Sequence, residues 1–140
     1  MLIETDTIYA FVKSSDRLKP VADRLMWRIK EGELGEVAAS RETLHELYYT
    51  SMREGVTLDE YITRAAALTS IGNLRFLPTT TEIDLLALTL MRQYSLNSIF
   101  DAYYAATALN QVKDHTIIST DHVFDKIPGL KRIDPHALID

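Results

Sequence analysis

Two rhythms of apolar and polar positions alternate along the chain. Leu2, Ile3 and Thr5 form a short β-prone run, and Asp6 stands where that run gives way, which places it near a strand's carboxyl end. Between Pro20 and Glu31, Val21, Leu25 and Ile29 recur every four residues, with Lys19, Arg24, Arg28 and Lys30 mostly on other faces; this predicts an amphipathic helix with proline near its first turn. After Gly32 and Gly35, Val37, Ala38 and Ala39 read as a second strand, and Ser40 offers a side-chain oxygen to cap the helix that carries Glu46. Thr57 and Glu60 have the capping-box spacing for a further helix, and Leu74, Phe76 and Leu77 predict a third strand ended by Pro78. Thr79 and Glu82 repeat the capping-box spacing ahead of a helix whose stripe is Ile83, Leu86, Ala87, Leu90 and Tyr94. Ser98 opens the next helix, with Asp101, Tyr104, Ala105 and Ala108 along it. Thr116 to Ser119 then reads as a strand bounded by Asp121, and a last short strand is expected near Arg132 and Ile133.

Strands alternating with helices predict an α/β three-layer sandwich, a mainly parallel central sheet flanked by helices. Nothing in residues 1–140 reads as a linker or repeat, so a single domain is expected, long enough to bury one sizeable core. In such sheets ligands gather outside the carboxyl ends of the strands, where Asp6 and Asp121 are expected.

Composition narrows the chemistry. With no cysteine, thiolate metal sites and cysteine nucleophiles are excluded, and any metal must be held by oxygen or imidazole. The net charge of −5 argues against a protein that coats nucleic acid through a broad basic surface, yet it is compatible with a carboxylate site whose bound cations face a phosphate. No apolar run approaches a membrane span and the first residues lack the basic segment of a signal peptide, so a cytoplasmic location is expected.

Taken singly, the acids have ordinary readings. Asp6 and Asp121 can cap turns, Asp101 completes a Ser-x-x-Asp capping box with Ser98, and Glu46 can pair with Arg41 or Arg53. Those readings leave the neighbourhoods unexplained. Asp101 is embedded among Phe100, Ala102, Tyr104, Ala105 and Ala106, where small alanines permit close packing against a sheet, and Asp121 follows the apolar Ile117-Ile118 directly. Two unit charges about 4 Å apart repel by roughly 4 kcal/mol at an effective dielectric near 20, so converging carboxylates need protons or a hard divalent cation.

Four segments in order resemble the motifs of PIN domains, particularly VapC-like toxins of toxin–antitoxin pairs. They are Glu4-Thr5-Asp6-Thr7; Ala39 to Leu47 around Glu46; Phe100 to Leu109 around Asp101; and Ile117 to Leu130 around Asp121. The resemblance runs nearly end to end. It implies an endoribonuclease dependent on Mg2+ or Mn2+, whose catalytic metal ligands are Asp6, Glu46, Asp101 and Asp121. Ser119 matches a supporting hydroxyl position, and Asp125 an additional acid present in some members. Glu42, one turn before Glu46, competes for the helix-borne position. The resemblance further implies an RNA substrate, a homodimer and a small antitoxin protein as partner.

Other residues have quieter readings. His45, His115, His122 and His136 lack zinc-site spacing, and His45 and His122 read as solvated or structural. Lys13, Arg17, Lys19, Arg24 and Arg28 read as a solvated helix face before a route for RNA phosphates or a surface that meets an acidic partner. Tyr48 and Tyr104 fit a core or dimer surface, and no nucleotide-binding glycine loop is present. The rival functions are a binding domain without catalysis, an RNA-processing nuclease outside a toxin–antitoxin pair, and a metal-dependent phosphatase or DNA nuclease.

Overall fold

A computed structural model describes residues 1–140. Five strands, β1 (Leu2–Ile3), β2 (Val37–Ser40), β3 (Leu74–Leu77), β4 (Thr116–Ile118) and β5 (Lys131–Ile133), form one sheet in the order β3-β2-β1-β4-β5, and every neighbouring pair is parallel. Six helices connect them: α1 (Thr5–Val12), α2 (Lys19–Lys30), α3 (Glu42–Arg53), α4 (Leu58–Thr69), α5 (Thr81–Tyr94) and α6 (Ile99–Gln111). Single 3-10 turns follow β4 at His122–Lys126 and β5 at Pro135–Leu138.

This is the expected α/β sandwich, with a sheet that is wholly rather than mainly parallel. The central strands β1 and β4 are short, and their apolar residues Leu2, Ile3, Ile117 and Ile118 are all fully buried, as in strands covered on both faces. Side chains alternate across a strand, and the core divides accordingly. Leu2 and Ile117 join the cluster that includes Ile83, Ala87 and Leu90 of α5 and Tyr104 of α6. Ile3 and Ile118 join the other, with Ile8 of α1, Leu25 and Ile29 of α2 and Leu47 of α3. Ala102, Ala105, Ala106 and Ala108 are fully buried, so α6 packs closely at these positions, with Tyr104 as the one large side chain it buries completely.

Two expectations are corrected. The first strand stops at Ile3 and Thr5 already belongs to α1, so Asp6, just past the strand's carboxyl end as expected, lies in a helix's first turn. The β-prone residues of α1 are overridden by burial of Ile8 and Ala10 against the sheet. The cap of α5 is Thr80, whose hydroxyl accepts from the Ile83 N–H at 3.3 Å, whereas Thr79 donates to Glu42 Oε2 at 2.7 Å. Of the two places expected for Tyr48, a core or a dimer surface, the first does not hold: it packs edge-on against Tyr49 and Tyr61 and remains partly exposed. By contrast, the Thr57 and Ser98 caps accept from Glu60 N and Asp101 N as their spacing predicted, and Ser40 Oγ accepts from Glu42 N at 3.0 Å.

Candidate active site

The chain builds β1, β2 and β3 in one direction and then returns to the other side of β1 for β4 and β5, so the order reverses between β1 and β4. Connections diverge at such a point and leave a crevice beyond the strand ends. A cleft of about 420 Å3 opens there, lined by Glu4, Asp6, Glu46, Asp101 and Asp121 together with Thr5, Tyr9, Thr50 and Thr120. No basic side chain lines it.

Each acid arrives by a different local device. The segment after β1 brings Glu4, as the residue preceding α1, and Asp6 in that helix's first turn. Asp6 is held by donors on both sides: Oδ1 accepts from Thr7 N at 2.6 Å, and Oδ2 accepts from Thr120 N at 2.8 Å and Thr120 Oγ1 at 2.6 Å. It therefore ties the turn after β1 to the turn after β4. Asp121 ends that second turn, where Oδ1 accepts from Val123 N at 2.9 Å. Ser119 is fully buried between them; its hydroxyl donates to Glu4 Oε2 at 3.0 Å and accepts from Asp121 N at 2.9 Å.

Glu46 projects from α3 and accepts from the hydroxyl of Tyr104 at 2.8 Å. Tyr104 is fully buried and accepts in turn from Thr5 Oγ1 at 2.7 Å, with Thr43 Oγ1 a further 3.0 Å from Thr5 Oγ1. Burial, then the charge of Glu46, hold the Tyr104 phenol far above its ordinary range, so it stays a donor. Tyr104→Phe should leave Glu46 without its orienting bond, and loss of such a ligand-orienting group typically lowers metal affinity about 10- to 100-fold. Titration of Mn2+ against both proteins tests this; equal affinities would show that Glu46 needs no support from α6.

The four acids named from sequence thus meet in one cleft, and the structure adds a fifth, Glu4. Burial first, then the neighbouring charge of Asp6, raise the Glu4 carboxyl well above its usual value. Asp101 rises to about 6 through burial, reinforced by the charges of Asp121, Glu46 and Asp6. Glu4 gave no distinguishing signal in the sequence, because an acid flanking a two-residue strand looks like any solvated strand end.

Two other acids face elsewhere. Glu42 bonds Thr79 and sits 3.0 Å from His45 Nδ1, and neither it nor His45 lines the cleft. Asp125, half-exposed, pairs with Arg132 Nε at 3.1 Å and with His122 Nδ1 at 2.8 Å. Those two contacts hold its carboxyl below the usual range, that with His122 being the larger. Arg132 also donates to the Ser119 carbonyl at 3.0 Å, so the Asp125–Arg132 pair braces the turn that presents Asp121 rather than entering the cleft.

The donor set fits Mg2+ or Mn2+: it is entirely oxygen, negatively charged and open to water. As the side chains stand, no three of these acids come close enough together to hold an ion by themselves.

The model of the PIN domain matches residues 1–130. No curated protein sequence matches the chain. Among solved structures, the chain is similar to Mycobacterium tuberculosis VapC20, described as a sarcin-ricin loop cleaving toxin, with a TM-score of 0.70 at 19% identity over 86% of this chain and 88% of that one. It is also similar to a chain of a toxin–antitoxin complex from Klebsiella pneumoniae, with a TM-score of 0.60 at 22% identity over 96% of both chains. With a family model that spans nearly its whole length and a fold shared with these structures, this chain belongs to the PIN domain family.

Proposed function

We propose that the protein is a metal-dependent endoribonuclease that hydrolyses RNA phosphodiester bonds in this cleft, and that it serves as the toxin of a VapBC-type pair. The observation that carries the reading is the convergence of Glu4, Asp6, Glu46, Asp101 and Asp121 beyond the ends of β1 and β4 without a single cation among the lining residues. Burial first, and then the charges of Asp121, Glu46 and Asp6, raise the Asp101 carboxyl, and a divalent cation would relieve that repulsion.

Asp6, Asp101 and Asp121 would be the main ligands of the cation, Glu46 would be a further ligand or would orient the attacking water, and Glu4 stands beside them. Bound there, Mg2+ or Mn2+ would offset phosphate charge and acidify an attacking water. The protein's own part is orientation. Tyr104 fixes Glu46, Ser119 links Glu4 to the Asp121 backbone, and Asp6 locks Thr120 beside them. The reaction class that fits an all-oxygen, carboxylate-lined cleft is direct attack by water, without a covalent intermediate.

The partners follow the same reading. Leu85 and Leu88 of α5 and Ile62 of α4 are exposed apolar side chains, as contact with a second copy or an antitoxin would require. The Klebsiella structure is titled as a toxin–antitoxin complex, which supports an antitoxin here. No helix is long and apolar enough to cross a membrane.

The test is incubation with labelled structured RNA, single-stranded DNA and a small phosphomonoester under Mg2+, Mn2+ or EDTA. Cleavage of RNA alone, abolished by EDTA, is the expected result; activity on DNA or the phosphomonoester would move the site to another phosphoryl-transfer class. A pH dependence accompanies it. Asp101 must lose its proton before it can hold a cation, so Mn2+ affinity should fall as pH is lowered through about 6. Isothermal titration across that window checks the sign, and an affinity independent of pH would remove Asp101 from the ligand set.

A further inference from the structure

The acidic cleft has a neighbour. A larger cavity of about 930 Å3 shares Asp6, Tyr9 and Thr120 with it as a common wall and continues beneath the connection between α1 and α2. Its lining differs in one chemical respect: Lys13, Arg17 and His136 bring basic groups where the cleft has none.

The fate of the five basic residues singled out from sequence separates two of them. Lys19 pairs with Asp23 and donates to the Phe11 carbonyl; Arg24 and Arg28 donate to the Ile139 and Leu138 carbonyls, and Arg28 also pairs with Glu33. These three hold α2 to its surroundings. Lys13 and Arg17 instead face the cavity. Lys13 is partnered by Glu54 at 3.0 Å. Arg17 is exposed and makes no ion pair or side-chain hydrogen bond, although Asp16 precedes it, because the Asp16 carboxylate accepts from Leu18 N at 2.8 Å.

An unpartnered guanidinium on an exposed connection is unremarkable alone. Here it stands at a cavity that adjoins a candidate phosphodiester-cleaving site, in a chain of net charge −5. A strand whose reacting phosphate lies among the carboxylates carries a further phosphate on each side. Those phosphates meet no bound cation and need protein cations of their own. The shared residues Asp6, Tyr9 and Thr120 put this cavity directly beside the cleft, within reach of a nucleotide next to the reacting phosphate.

We propose that the cavity between the acidic cleft and the α1–α2 connection holds the RNA segment flanking the scissile phosphate, with Arg17 as its backbone-phosphate contact and Lys13 as a second cation beside it. The inference rests on the nuclease reading above. Because the contact is to phosphate, it contributes affinity and register without base preference. Asp134 and His136, paired at 2.7 Å, form the far wall and leave the guanidinium as the free positive group.

The test uses a fluorescein-labelled single-stranded oligoribonucleotide of mixed sequence, with Ca2+ in place of Mg2+. Anisotropy gives Kd over a series of salt concentrations for wild type, Arg17→Gln and Arg92→Gln. Arg92 is an exposed residue of α5 outside the cavity, and its replacement changes net charge equally. Arg17→Gln should weaken binding by about three- to tenfold and lower the slope of log Kd against log salt by about one, while Arg92→Gln should change neither. Mn2+ affinity, measured in parallel, should match in all three proteins.

Equal RNA binding by wild type and Arg17→Gln, or equal weakening by both variants, overturns the subsite while leaving the nuclease reading in place. If wild type binds no RNA and also cleaves none under Mg2+ or Mn2+, the nuclease reading falls and the subsite with it.

Discussion

Asp101→Asn should lower metal-dependent RNA cleavage by on the order of 10^3-fold, a loss comparable with removing a preorganised charge-stabilising group, and yet stabilise the metal-free fold. The two effects have one cause. Asp101 is more than half-buried and feels Asp121, Glu46 and Asp6, which together with burial push its carboxyl up to about 6. An unfolded aspartate titrates near 3.9, so between about pH 4 and 6 the folded chain binds the extra proton. Stability conferred by that difference falls as pH rises through this window and stays lost above it. Asparagine keeps the shape, removes the repulsion and offers an amide to the adjacent carboxylates. The variant's advantage in melting temperature should therefore be absent near pH 4, grow toward pH 6 and level off. Each kcal/mol corresponds to roughly 3–5 °C for a chain of this size. Added Mg2+ should reverse the order, because only wild type regains full cation binding. Thermal unfolding at several pH values, with and without Mg2+, reads both signs; a variant less stable than wild type at pH 7 without metal would contradict the repulsion argument.

The largest stability effect is expected at Phe124. It is fully buried in the 3-10 turn that Asp121 caps, and it packs in the same cluster as Ile117, Ile127 and Leu130. Phe→Ala at such a site costs about 3–5 kcal/mol through lost transfer energy and the cavity left behind. That is a large share of a total stability of roughly 5–15 kcal/mol. Phe124→Leu, which keeps much of the volume, should cost less than half as much. Since the ring anchors the turn that presents Asp121, Phe124→Ala should also weaken Mn2+ binding at temperatures where it remains folded. Urea unfolding of the three proteins measures the first effect; a loss under 1 kcal/mol for Phe124→Ala would mean that the turn is not held by this packing.

Much of the fold was legible because it depends on local and periodic features. The four-residue repeat of Val21, Leu25 and Ile29 predicted α2 to within a residue at each end, and the alternating elements predicted a sheet with helices on both faces. Ser98 and Asp101 declared the start of α6 through a contact three residues long. The run of alanines after Asp101 announced a helix face packed tightly on the sheet, and all four are fully buried.

What could not be read concerns choices between near-equivalent residues and contacts across the chain. Thr79 and Thr80 are adjacent and chemically identical; the backbone path chose Thr80 as the cap and left Thr79 to meet Glu42 across 37 positions. Asp125 fits the spacing of a site acid, but the parallel pairing of β5 beside β4 brings Arg132 to it and turns it into a brace. Glu4 resembled a solvated strand end until the sheet buried it beside Ser119, 115 positions away.

By itself, then, the sequence determined which segments become helices and strands, α1 excepted, which faces of most of them turn inward, and that acids of a kind able to hold a hard cation lie at their ends. These follow from periodicity, capping and composition, all properties of residues within a few positions of one another. Only the tertiary structure decided which acids share a cleft, which oxygens are already engaged, and which cations remain free beside it. Those outcomes depend on where β1 and β4 meet at the reversal of strand order. Electrostatic and hydrogen-bond energies at that meeting are set by distance in space, which no spacing along the chain encodes.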